Sequence, residues 1–321
     1  MPAEFELIRR YFTRPNTHTD LGIGDDAALF RPRSGMQLAI STDMLVAGTH
    51  FFTGTDPYRL GWKTLAVNLS DLAAMGAAPY WALLAAALPS ADEDWIQAFA
   101  NGFFTCATRY GVDIIGGDTT RGPLTLSVTI AGEVPCGNAV TRAGAHPHDD
   151  LWVSGYPGRA ALGLLALQQK IILTPAQHQT CTEALEYPIP RIELGQALRG
   201  IATAMLDISD GLLGDLKHIL TQSRVGAIID IPSLPYPYAP FSDDPLPPAL
   251  VRQCILTGGD DYELLFTAPP AHRPTLTALT ETQALPLTRI GHITNKPHDL
   301  LLKEQNGELC VPEKTGYQHF A

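Results

Sequence analysis

Nine aspartates stand beside glycine, serine or threonine, or at the end of a predicted element: Asp25, Asp26, Asp43, Asp71, Asp118, Asp207, Asp210, Asp260 and Asp261. Almost none has a neighbouring lysine or arginine. Gathering even some of them is costly, because two unit charges about 4 Å apart repel by roughly 4 kcal/mol at an effective dielectric near 20. A cation must offset that repulsion. The candidate ligands are hard oxygens, and the five cysteines are widely spaced with no C-x-x-C pair. Mg²⁺ is therefore the natural ion, and zinc is disfavoured. Carboxylates, Mg²⁺ and glycine-rich turns together point to a polyphosphate substrate. The phosphate-binding pattern G-x-x-x-x-G-K-[ST] is absent, as is the protein-kinase set of glycine-rich loop, HRD and DFG.

The elements that must position these groups can be read in turn. A helix is predicted from Asp56 to Pro79, with Asp56 as N-cap, Pro57 at its first position and Gly76 near its end. Leu65, Leu69, Leu72 and Met75 form its apolar face. Thr64, Asn68 and Asp71 form a narrow polar stripe on it. That stripe looks into a site, with Asp71 as a metal or phosphate-site ligand, or it is a short solvent face. Gly22 to Ala28 matches G-x-G-x-x-A on paper, but no buried strand precedes it and two carboxylates would face the pyrophosphate. The segment is a flexible aspartate-rich turn able to hold a cation, or an ordinary turn.

Met36 to Thr42 reads as a strand ending at Ser41-Thr42-Asp43, and His50 beyond it could contact a substrate. Pro79 to Leu88 and Leu124 to Val134 read as strands. Ser90 to Glu93 is a capping-box pattern opening a helix that closes at Gly111. Val112 to Ile115 is a short strand, after which Gly116 to Gly122 reads as a turn. A boundary is expected near 137, dividing the chain into 1–137 and 138–321, with Thr141-Arg142 in the connection. Beyond it, Leu151 to Ser154 reads as a strand, and 158–168 and 192–203 as helices. Asp207 to Leu212 opens a further helix whose N-terminus suits phosphate, though Asp207 and Asp210 could be mere caps. Gly258 to Phe266 is a turn and a strand. This order of elements implies an α/β or α+β fold.

Composition bounds the partners. Of 321 residues, 45% are hydrophobic and 17% charged, enough for a sizeable core. The net charge of -11 disfavours a nucleic-acid surface but permits an anionic substrate beside bound cations. The longest apolar run, near Trp81 to Leu88, is too short for a bilayer, and the first ten residues lack a signal-peptide core. A soluble cytoplasmic protein with no membrane partner is expected.

Six blocks in order, GIGDDAAL, ISTDMLVAGTHF, NLSDLAAMGA, IGGDTTRGP, DISDGL and GGDDYELLF, with a GYQHF tail, resemble the thiamine-monophosphate kinases. Their superfamily also holds aminoimidazole ribonucleotide synthetase and selenophosphate synthetase. The resemblance implies a two-domain PurM-like fold. Its N-terminal mixed sheet with helices would dimerise through the sheet, ahead of a C-terminal α/β domain. It also implies ATP-dependent conversion of thiamine monophosphate to the diphosphate with several Mg²⁺ ions in a homodimer. By position, Asp26, Ser41, Thr42, Asp43, Asp71, Asp118, Asp207 and Asp210 are the implied metal ligands. Among them Asp43, Asp71, Asp118 and Asp210 carry the catalysis. Tyr110, Gly117, Asp118, Arg142 and Ser209 are the implied ATP contacts, and His50, Asp260 and Tyr317 the thiamine-phosphate contacts. The family usually has glutamate where this chain has Asp260. Selenophosphate synthetase normally carries a reactive Cys or selenocysteine near its N-terminus, whereas the first cysteine here is Cys106. A nucleotide sensor without turnover would not need the full acidic set.

Overall fold

The computed structural model describes residues 4–237, 246–314 and 316. They divide into two compact units, the first ending at Ala139 and the second starting at Val140, with Ala73–Gly76 belonging to the second.

The first unit runs α1 (Glu4–Leu7), β1 (Met36–Val46), α2 (Pro57–Ala74), β2 (Ala78–Leu88), α3 (Glu93–Tyr110), β3 (Asp113–Arg121) and β4 (Thr125–Pro135). Its sheet has the order β1-β4-β2-β3, with β2 and β3 parallel and the other pairs antiparallel. Asp56 caps α2 as expected, accepting from Arg59 N at 3.1 Å. Leu65, Leu69 and Leu72 are buried, so the 3.6-residue apolar period found its core.

Three local expectations are corrected. Strand β1 does not stop at Thr42 but continues to Val46, so Asp43 sits in mid-strand. Strand β3 does not stop at Ile115 but runs through Gly116-Gly117-Asp118 to Arg121. In both cases pairing with a neighbouring strand extends the element, without a break in β1 and across a register shift at Ile115 in β3. The cap of α3 is Asp92, which accepts from Trp95 N, and not the Ser90 of the capping-box pattern. Gly111 closes that helix in the left-handed conformation, as read.

The second unit runs β5 (Asp150–Ser154), α4 (Arg159–Leu167), α5 (Pro175–Glu186), α6 (Ile192–Ala197), β6 (Ala204–Asp207), α7 (Leu212–Ser223) and β7 (Gly226–Asp230). It continues through α8 (Pro248–Thr257), β8 (Leu264–Ala268), α9 (Arg273–Gln283), β9 (Leu287–Thr294), β10 (Leu300–Lys303) and β11 (Leu309–Cys310). Its sheet has the order β11-β10-β7-β9-β5-β8-β6. Leu212, Leu216 and Ile219 of α7 share one buried cluster with Val153, Leu206 and Leu265 of the sheet. That packing orients the turn leading out of β6. The α6 helix is shorter than the predicted 192–203. Among the described residues no helix is long and apolar enough to cross a membrane.

Candidate active site

The polar stripe of α2 is not a solvent face. Thr64 and Asn68 are each 1% exposed. Thr64 Oγ1 donates to Leu60 O and Asn68 Nδ2 to Thr64 O, which satisfies both inside an apolar helix. Asn68 Oδ1 accepts from Asp43 N at 3.0 Å, so α2 grips the backbone of β1. One turn on, Asp71 accepts from Ser41 Oγ at 2.5 Å. Ser41 and Asp43 lie two apart in a regular strand and share the α2 face. The Thr42 side chain lies on the opposite face, bonded to Val128 O and the Thr129 hydroxyl. Of that triplet, the Ser41 and Asp43 side chains stand on Asp71's side.

Asp118 stands apart from this group. It lies in one lateral row with Ala85, Ser127 and Met44, whereas Asp43 lies in the next row and on the other face. Strands β1 and β3 are the two edges of the sheet, about 14 Å apart at roughly 4.8 Å per strand spacing. Asp43 and Asp118 of one chain therefore cannot share an ion. Instead Asp118 lines a cavity of about 1180 Å³ together with Asp25 and Asp26. Gly117, also on its wall, has φ 151°, and a Cβ there would sit 1.8 Å from Leu84 O. Only glycine lets β3 lie this close to β2 at that point.

The loop carrying Asp25 and Asp26 is exposed, but its base is anchored. Asp113 accepts from the backbone N–H groups of Thr17, His18 and Thr19 at 2.6–3.0 Å. Tyr80 donates its hydroxyl to His18 O at 2.8 Å. Neither residue was singled out by the sequence, because a buried Asp at a strand start carries no signal of what it will hold. His50 Nδ1 accepts from Val46 N at 3.0 Å, which puts the proton of the neutral ring on Nε2. Tyr110 ends α3, its ring 6.2 Å from that of Trp62.

In the second unit two turns are clasped by backbone bonds. Asp260 N donates to Ser209 O, Tyr262 N to Ile208 O and Ile208 N to Glu263 O, each at 2.8 Å. A Cβ on Gly259 would sit 2.5 Å from Ser209 O, so this close contact requires glycine. Asp207, at the end of β6, is 6% exposed, while Ser209 and Asp210 are exposed. Helix α7 has no side-chain cap. The simple picture of Asp210 as a cap is thereby corrected. Just ahead of the helix, Asp215 accepts from both Ser209 N and Asp210 N at 3.1 Å. Burial, with help from the Asp210 charge, pushes the Asp215 carboxyl up to about 6, against these two bonds and the nearby Arg142. Arg142 is exposed, and its neighbour Thr141 is tied to β6 through Met205 N.

The acids of the Gly258–Glu263 turn have separate tasks. Asp261 accepts from Gly158 N and Ala160 N at the start of α4, and burial pushes its carboxyl up. Glu263 is buried against Ser154 and a bidentate Arg191. Asp260 is bonded by the Tyr262 hydroxyl at 2.8 Å. Tyr317 lies outside the described residues. Among the described residues no three His, Cys, Asp or Glu come close enough to hold one metal ion.

Comparison with known proteins extends over both units. The N-terminal domain model of AIR synthase related proteins matches residues 24–134, and the C-terminal domain model matches 147–302. Thiamine-monophosphate kinase of Escherichia coli (strain K12) is 44% identical over 323 residues, covering 99% of this chain and 98% of that one. The crystal structure of thiamine-monophosphate kinase from Stenotrophomonas maltophilia K279a is 46% identical, with a TM-score of 0.84 over 95% of this chain and 96% of that one. AaThiL complexed with AMPPCP and TMP is 29% identical, with a TM-score of 0.75 over 93% of this chain and 92% of that one.

Proposed function

Because the chain belongs to the thiamine-monophosphate kinase family of AIR synthase related proteins, we propose that it phosphorylates thiamine monophosphate to thiamine diphosphate with ATP. The observation that carries this reading is the oxygen-only group formed by Ser41, Asp43 and Asp71 on one face of β1 and α2. Such a donor set fits Mg²⁺, whose charge would be shared between two anionic reactants. We assign Asp26, Thr42, Asp118, Asp207 and Asp210 to the remaining metal positions, with Thr42 acting through its backbone.

The acceptor supplies its own nucleophile. A phosphate monoester has a second pKa near 6, so its oxygen is largely deprotonated at neutral pH. No general base is needed, and the side chains act by positioning and by balancing charge in an in-line transfer. Arg142, Ser209, Gly117 and Tyr110 hold the nucleotide. His50 offers its Nε2–H to the acceptor, and Asp260 and Tyr317 complete that contact. A cytoplasmic setting belongs to the same reading.

The working species is a homodimer. Asp43 and Asp118 sit on opposite edges of one sheet, so a complete site needs the Asp118 of a second copy. Ile40 and Met44 of β1 are 61% and 55% exposed on the face that carries Asp118, an apolar surface suited to such pairing. Mixing Asp43→Asn and Asp118→Asn chains, each inactive alone, restores roughly a quarter of wild-type activity if each site draws on both copies. No recovery in verified mixed dimers rejects the shared site. The reaction itself is tested by ADP release with and without thiamine monophosphate. Tight ATP binding with no dependence on that acceptor would mean a nucleotide sensor instead.

A further inference from the structure

We infer that Tyr262 is a positioning residue for the acceptor, acting through Asp260; the inference rests on the proposed thiamine-phosphate contact of Asp260. Both residues have left-handed backbones, with φ 65° at Asp260 and 51° at Tyr262. Non-glycine residues seldom adopt this conformation, and one sharing a turn with another is held there by its surroundings. Here the hold is visible: the N–H groups of Asp260 and Tyr262 bond to the Ser209 and Ile208 carbonyls.

The strained turn sorts its side chains. Asp261 points to the start of α4, where it accepts from Gly158 N and Ala160 N. Asp260 and Tyr262 meet each other, with the phenol donating to Asp260 Oδ1 at 2.8 Å. Tyr262 is 7% exposed, so its hydroxyl has a fixed address, whereas Asp260 is half-exposed. A buried ring thus sets the direction of a carboxylate that solvent and substrate can reach. The acceptor has a positively charged thiazolium and an exocyclic amine, both complementary to a carboxylate. A carboxylate already oriented loses less freedom on binding them. The aspartate side chain is short, so its direction decides what it can reach.

The test is steady-state kinetics on the full-length protein carrying Tyr262→Phe, Asp260→Ala or both. Phenylalanine keeps the buried ring, so folding is checked by an unchanged thermal midpoint. The expected result is a KM for thiamine monophosphate raised by about tenfold or more, the effect of one hydrogen bond to a charged group. The KM for ATP stays unchanged. In the Asp260→Ala background, Tyr262→Phe adds nothing further. A raised KM in Asp260→Ala with none in Tyr262→Phe overturns the positioning role alone. So does a Tyr262→Phe effect shared equally by ATP, or one that persists in the Asp260→Ala background. An unchanged acceptor KM in Asp260→Ala overturns the contact on which the inference stands, while ADP release by the wild type decides the reaction separately.

Discussion

The two units carry their acidic groups in opposite ways. In the first, Asp43, Asp71 and Asp118 are spread over a strand edge, a helix and the far strand edge, with Asp25 and Asp26 on an exposed loop. In the second, Asp207 ends β6, and Asp210 and Asp260 lie in two turns clasped by backbone bonds. The first unit places its acidic groups by element geometry, and in the proposed function a second copy completes the site. The second unit places its own by a pre-set turn. A charge cluster can thus be held by rigid elements whose side chains point correctly, or by main-chain bonds that leave side chains out of the scaffold. Substitutions should therefore separate function from stability in the first unit and mix them in the second.

The largest effect is expected at Asp71. Replacing it by Asn keeps the shape and a partner for Ser41 Oγ but removes the charge. Turnover should fall by at least about a hundredfold, on the scale of losing a transition-state charge contact. The circular dichroism spectrum and melting temperature should hardly change. Near-normal turnover at saturating Mg²⁺ would reject the role of Asp71.

An intermediate, mixed effect is expected from Asp215→Ala, which leaves the N–H groups of Ser209 and Asp210 without their acceptor. Denaturant unfolding should register a loss of about 1–3 kcal/mol. The KM for ATP should rise as the turn bearing Ser209 loosens. A stability loss with no change in that KM would show that the turn is held by its clasp with Gly258–Glu263 alone.

The smallest effect on turnover should come from Asp113→Ala in the first unit. It releases the base of the loop from three backbone donors without touching the face of β1. Amide hydrogen exchange at residues 17–28 should speed up markedly, and the acceptor-dependent rate should drop only a few-fold, the size of one loosened anchor. A collapse of turnover as deep as that of Asp71→Asn would mean that the loop, too, must be pre-set, and the contrast between the units would fail.

Legibility followed the range of the interactions. The α2 stripe could be read because a 3.6-residue period is local; Thr64 and Asn68 on it are buried, and Asn68 and Asp71 bond to β1. The fold class was legible from the order of strands and helices. The ends of β1 and β3 were not, because strands continue where a neighbour pairs with them. Nor could Asp260 and Asp261 be told apart. Adjacent and chemically identical, they differ only because the chain turns left-handed on both sides of Asp261.

Residue types alone supplied the expectation about ligands: oxygen donors, glycine-rich turns and no C-x-x-C pair, from which a hard cation beside phosphate is proposed. The sequence also determined the family, through six ordered blocks. Which acids can meet depended on long-range pairing. Strand order placed Asp43 and Asp118 on opposite edges of one sheet, and backbone pairing between remote turns aimed Asp260 while committing Asp261 to a helix start. Residue type is a property of one position, whereas proximity depends on pairing between segments far apart in the chain.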